Sequence, residues 1–122
     1  MRSVTVKASG TMVLPEILLE EILILEDKDK GHGILENARE RSLERNGGAL
    51  DSVRVYFDIS GNRVRVISEI TGEEFHSVME GSFRIITETI LGVLENLEIK
   101  RSEFARILSI TDIHVTDLAF RE

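Results

Sequence analysis

Two alternating runs, VRVYFDI at 53–59 and RVRVISEI at 63–70, stand on either side of a Ser-Gly-Asn break. Successive side chains of a strand point to opposite faces, so apolar residues at every second position mark a half-buried strand. Two such runs across a short glycine-bearing break predict a β-hairpin. No other feature restricts the fold as much, because a lone hairpin is unstable without further strands and a layer over its apolar face. With Ser60-Gly61 as a two-residue turn, Phe57 pairs with Val64 and Val55 with Val66, sharing the core face with Val53. Arg54, Tyr56, Asp58, Arg63, Arg65 and Ile67 take the other face. A longer loop shifts that pairing.

The layer is supplied by the helix predicted over Glu73–Glu98, where Phe75, Val78, Met79, Ser82, Ile86, Ile90, Val93 and Leu97 keep helical spacing. Gly81 and Gly92 are three turns apart, hence on one face of it, where they would admit another backbone closely. Before the hairpin, Arg2–Ser9 alternates as a first strand that Gly10-Thr11 breaks. Leu14–Leu25 reads as a helix with Pro15 in its first turn. Asp27–Gly33 reads as a loop, and Ile34–Asn46 as a charged helix with a narrow stripe of Leu35, Ala38 and Leu43, ended by Gly47-Gly48. After the long helix come a short helix over Arg101–Leu108, with Ser102 as its cap, and a strand over Ile110–Arg121 whose period slips near Thr116-Asp117, as at a bulge. The order predicts one α+β domain over residues 1–122, a ferredoxin-like βαββαβ sandwich with a charged helical insertion after the first helix.

Composition narrows the chemistry. There is no cysteine, which removes disulfides, thiolate zinc and a thiol nucleophile. Thirty per cent charged residues with no glutamine is a thermophile-like pattern. A net charge of −7 opposes broad contact with a phosphate backbone. No stretch reaches membrane-spanning length, and the first residues lack a signal peptide's apolar run, so the expectation is a cytoplasmic protein.

Motifs for catalysis or cofactors are sparse. Asp27 and Asp29 could fill the first and third positions of a calcium loop, but Gly31, His32 and Ala38 then occupy places that need a ligand, a glycine and a bidentate glutamate. Gly31-His32-Gly33 before a helix is the geometry of an anion loop, yet neither a Walker nor a Rossmann pattern accompanies it. A solvated insertion is the expectation for 26–48, with no metal and no cofactor. His32, His76 and His114 do not pair at metal-binding spacing, and no serine sits in a nucleophile elbow.

Arg54, Tyr56, Arg63 and Arg65 remain, a cluster on the hairpin's outer face. Three uses are open: cross-strand stabilisation, with Asp58 paired to Arg63 and Tyr56 to Arg65; contact with a protein; and base stacking on RNA, for which a single aromatic is few. The hairpin-plus-helix over Val53–Glu98 resembles that of the small dimerising subunit of the KEOPS tRNA-modification complex. It departs from that family at Glu80-Gly81, where the family carries Asn-Ser, and in the insertion and the C-terminal strand.

The expectation is therefore a small non-enzymatic interaction or dimerisation module, a subunit or accessory factor of a larger assembly, with self-association or a protein partner. The alternatives are a nucleic-acid accessory protein using the Arg/Tyr face, and a small-molecule binder or enzyme with a site near 27–48.

Overall fold

The structure, a computed structural model, describes residues 2–29, 33–46, 50–97 and 99–121, with the backbone alone for 24–29. The element order is β1 (Ser3–Val13), α1 (Glu16–Asp29), α2 (Ile34–Asn46), β2 (Ser52–Ser60), β3 (Arg63–Gly72), α3 (Phe75–Asn96), α4 (Arg101–Ile110) and β4 (Asp112–Arg121). The protein is α+β, with a four-stranded antiparallel sheet in the order β2-β3-β1-β4.

The hairpin forms as expected, with its turn one residue further on. Gly61 and Asn62 make the turn, and Gly61 adopts the left-handed φ of 60° that both tight hairpin turns require at their first central residue. Ser60 therefore faces Arg63, Phe57 faces Val66 and Val55 faces Ser68. Each partner moves by two residues, which leaves every side chain on its expected face.

β1 does not stop at Gly10. It runs to Val13, with Val4, Val6, Ala8, Gly10 and Met12 on the core face. Glycine is needed there because α3 crosses the strand at close range. A Cβ on Gly10 would lie 2.8 Å from Ile86 Cγ2 and 3.0 Å from Ile90 Cδ1. Along β4, Lys7 faces Asp117 but Ala8 faces Val115, so Thr116 is the bulged residue. Its hydroxyl donates to the Lys7 carbonyl (3.1 Å).

α1 begins on the Pro15 carbonyl, which accepts from the Leu19 amide (3.1 Å), and continues to Asp29 through what reads in sequence as a loop. α2 spans the expected residues but is not a solvated insertion. It lies along α3 and over β2, with Ile34, Leu35, Ala38 and Ser42 buried. Its small residues allow this. A Cβ on Gly92 would sit 3.1 Å from Ala38 Cβ and 3.4 Å from Ala38 Cα. Buried Ser42 donates to the Ile85 carbonyl of α3 (2.8 Å), and Asn46 to Glu88 (2.7 Å). A stripe of small residues lets two backbones approach, so the helix packs through contact distance rather than side-chain bulk.

Glu74 caps α3, its carboxylate accepting from the amides of His76 (3.0 Å) and Ser77 (2.7 Å) and from the Ser77 hydroxyl (2.7 Å). These bonds, that of the Ser77 hydroxyl first, hold the carboxyl below the ordinary glutamate value of 4.5. Lys100, not Ser102, precedes the first turn of α4, and no side chain caps it. Buried apolar residues of all four helices join one cluster with the even-numbered residues of β1 and β3. Ile67 is buried outside that cluster, on the opposite, helix-free face. Among the described residues no helix is long and apolar enough to cross a membrane.

Candidate functional site

The helix-free face carries Arg54, Tyr56, Arg63 and Arg65 together, as the alternation predicts. Several of its charges meet opposite charges within the sheet, while Arg63 stands between Ser60 and Val13. Arg65 Nη2 binds Asp58 Oδ2 at 2.9 Å, Arg54 stands opposite Glu69, and Lys7 is flanked by Glu69 and Asp117. Asp58 thus pairs with Arg65 rather than Arg63, and Tyr56 faces Ile67 rather than Arg65, both consequences of the turn at Gly61-Asn62. Among the described strand residues this face carries one Phe/Tyr/Trp ring, Tyr56, with the His114 imidazole in the same cross-strand row. The face thus carries two mixed-sign rows, Asp58–Arg65 and Arg54–Glu69–Lys7–Asp117, whereas single-stranded nucleic acid is bound by basic grooves with stacking rings.

The other residues singled out in sequence are placed as follows. Gly92 lies against Ala38, and a Cβ on buried Gly81 would meet the Leu50 side chain at 3.1 Å, so both serve contacts within the chain. Asp27 and Asp29 belong to the last turn of α1. Positions two apart on a helix lie on different sides, so the backbone there is not that of a calcium loop. Gly31, His32, Gly47 and Gly48 lie outside the described residues. Exposed His76 packs edge-on to Phe75 (5.7 Å), and His114 Nδ1 is 3.5 Å from Asp112 Oδ2. Among the described residues no group of three histidine or acidic side chains is arranged to hold a metal.

One depression borders the region expected to bind a small molecule. It has a volume of about 360 Å³, between α2 and β2, and is lined by Arg39, Leu43, Val53, Arg54, Val55 and Tyr56. Arg39 is already engaged there, by Glu36 and by the Val55 carbonyl (3.3 Å).

The two edges of the sheet differ. In a hairpin with a two-residue turn the closing residues, Ser60 and Arg63, bond to each other, so Val53, Val55 and Phe57 aim their backbone groups outward. α2 runs beside this edge, and the Arg39 guanidinium donates to one of its outward groups, the Val55 carbonyl. Carrying the alternation across β3 and β1 makes Asp117, Ala119 and Arg121 bond inward to β1, while Leu118 and Phe120 aim their amides and carbonyls outward. Among the described residues β4 is paired on one side only. On its helix side, Leu118 is 42% exposed and Phe120 67%. Phe120 stacks on Phe75 of α3, itself 36% exposed, at 5.9 Å between ring centres. The sequence places Phe75 on a helical stripe and Leu118 and Phe120 in a strand, and neither pattern marks them as exposed. Their exposure follows from the strand order, since a strand at the edge of the sheet receives less helix cover.

No family model and no curated protein matches this chain. Several solved structures are similar to it in shape, among them the following three. A de novo designed protein, Foldit4, has 12% identity and a TM-score of 0.45 over 98% of this chain and 97% of its own. A C-terminal segment of the alpha subunit of aIF2 from Pyrococcus abyssi has 19% identity and a TM-score of 0.39 over 93% of this chain and 49% of its own. A dimeric ferredoxin-like protein from an uncultured marine organism has 11% identity and a TM-score of 0.38 over 98% of this chain and 84% of its own. Likeness at this level carries no function from them to this chain.

Proposed function

We propose that this chain is a non-enzymatic interaction module, a subunit or accessory factor of a larger assembly, and that it works by offering the edge of its sheet to a protein. The strand order β2-β3-β1-β4, with α2 and α3 on one side, supports a ferredoxin-like frame for it. The observation that carries the reading is the pairing of an unprotected strand with exposed apolar rings. Folded proteins blunt open strand edges, because unpaired amides and carbonyls recruit other strands. Here Arg39 takes one outward carbonyl of the β2 edge, while among the described residues the β4 edge is unpaired beside Leu118, Phe120 and Phe75. Strand addition of this kind uses backbone bonds for affinity and alternate side chains for specificity.

Native mass spectrometry of the freshly purified protein tests it. The module reading expects an oligomer, or a stoichiometric complex with a protein, and no small-molecule adduct. A monomer that reproducibly carries a small molecule overturns it. That outcome would favour the second reading, a ligand site in the 360 Å³ depression at Arg39, Arg54 and Tyr56, whose size suits a small ligand.

A further inference from the structure

We infer that the partner of the β4 edge is a second copy of this chain, joined antiparallel about a two-fold axis at Ala119. The inference rests on the interaction-module reading and gives it an occupant and a register.

Antiparallel self-pairing fixes which residues meet. Centring on Ala119 sets Leu118 opposite Phe120 of the second copy, and Asp117 opposite Arg121 of the second copy, each twice by symmetry. Three independent requirements agree at this register. Leu118 and Phe120 are the residues whose backbone groups face outward, so they form the hydrogen-bonded pair and exchange both bonds. Asp117 and Arg121 then fall in the non-bonded pair, where side chains approach more closely, and their charges are opposite. Ala119, also in a non-bonded position, meets itself on the axis, where a large side chain would collide with its own copy.

Neighbouring registers fail. Moving the axis to Leu118 leaves Asp117 opposite Ala119 and sets Phe120 against the bulged Thr116. Moving it to Phe120 leaves Arg121 opposite Ala119. Moving it to Asp117 opposes two carboxylates. A shift by half a step places apolar side chains across from polar ones on the wrong face. The bulge at Thr116 limits the flat run to Asp117–Arg121, the segment that this register uses. The product joins the two four-stranded sheets into one, with Leu118, Phe120 and Phe75 of both copies forming an apolar strip on the helix side. On the opposite face Asp117 would sit between its own Lys7 and the incoming Arg121.

The test is charge reversal with rescue, read by sedimentation velocity over a concentration series. Asp117→Arg places two arginines together at each contact, and Arg121→Asp places two aspartates. Each single variant is expected to dimerise about tenfold or more weakly than wild type. The two singles mixed in equal amounts restore opposite charges at both contacts, and so does the double variant D117R/R121D; both are expected to recover wild-type association. All four side chains altered are exposed in either copy, and circular dichroism melting checks that each variant folds. Wild type that dimerises equally with and without the single reversals overturns this register and leaves the module reading standing. Single reversals that weaken the dimer without recovery in the mixture also overturn it. Wild type that stays monomeric without any adduct overturns self-pairing and leaves a different protein as the partner; a monomer with a small-molecule adduct removes both.

Discussion

Replacing Gly10 by alanine isolates the contact on which the layering of helix and sheet depends. The new Cβ would sit 2.8 Å from Ile86 Cγ2, 3.0 Å from Ile90 Cδ1 and 3.1 Å from Ile113 Cγ1. The Ile90 atom is the end of a flexible chain and can turn away. Ile86 Cγ2 cannot, because a β-branched side chain on a helix holds one strongly preferred rotamer. Relief therefore requires α3 to lift from β1. Overpacking of this kind costs about 1–3 kcal/mol. The loss of glycine's freedom in the unfolded chain returns about 0.5–1 kcal/mol. The net spans about 0–2.5 kcal/mol with its centre a little over 1 kcal/mol, a fall in Tm of about 5 °C for a domain of this size. Thermal melting by circular dichroism measures it. Pairing the change with Ile86→Ala sharpens the test. Ile86→Ala alone should cost about 2–5 kcal/mol, and the double variant should cost at least about 1 kcal/mol less than the sum, since the alanine methyl enters the space left by the isoleucine. If Gly10 merely interrupted a strand at the surface, alanine would be stabilising. That result, or strict additivity with Ile86→Ala, would refute the packing described between α3 and β1.

Three further outcomes follow from single contacts. Ser42→Ala removes the buried bond to the Ile85 carbonyl and should cost about 1 kcal/mol in urea unfolding, since that carbonyl keeps the Thr89 hydroxyl (2.7 Å). Glu74→Ala should lower Tm at neutral pH. The folded carboxyl titrates below the unfolded value of 4.5, so its contribution is complete above that pH and lost as pH falls through the folded value. The Tm gap between wild type and E74A should therefore close in acid, and a gap unchanged in acid would contradict the cap. Arg54→Ala combined with Arg65→Ala should leave retention on single-stranded RNA unchanged at every salt concentration, because both side chains are balanced within the sheet. A salt-dependent loss in the double variant would show that the face does bind nucleic acid.

The parts of the fold that were legible in the sequence are those with a strong period. The β2–β3 hairpin and α3 each bury a regular face, and the faces of the hairpin survived an error of one residue in the turn because the register moved by two. Two readings failed through small residues. Gly10 looks like a strand break, and the low apolar content of α2 looks like a solvated helix. In both places the small residue marks close approach of another element, of α3 to β1 and of Ala38 to Gly92. Sequence periodicity records apolar area and is blind to contact distance. α1 ran four residues past its apolar stripe, since Glu26 to Asp29 carry no residue that stops a helix. The Arg/Tyr cluster was placed correctly as a group, but its charge balance was not legible, because it depends on which acidic residue faces which arginine and so on the turn. The open β4 edge was hidden for a different reason. An edge is a property of strand order, and Leu118 and Phe120 alternate with polar residues as any core strand would.

Amide exchange of β4 as a function of protein concentration reads out pairing through its open edge. Leu118 and Phe120 present outward amides in the isolated chain, as do Ile113 and Val115 beyond the bulge and Val53 and Phe57 on the other edge. Exchange resolved by residue in NMR spectra should slow at Leu118 and Phe120 as concentration rises and stay constant at the other four. Exchange at Leu118 and Phe120 that remains fast at every concentration would contradict pairing through this edge, whatever the oligomeric state of the protein.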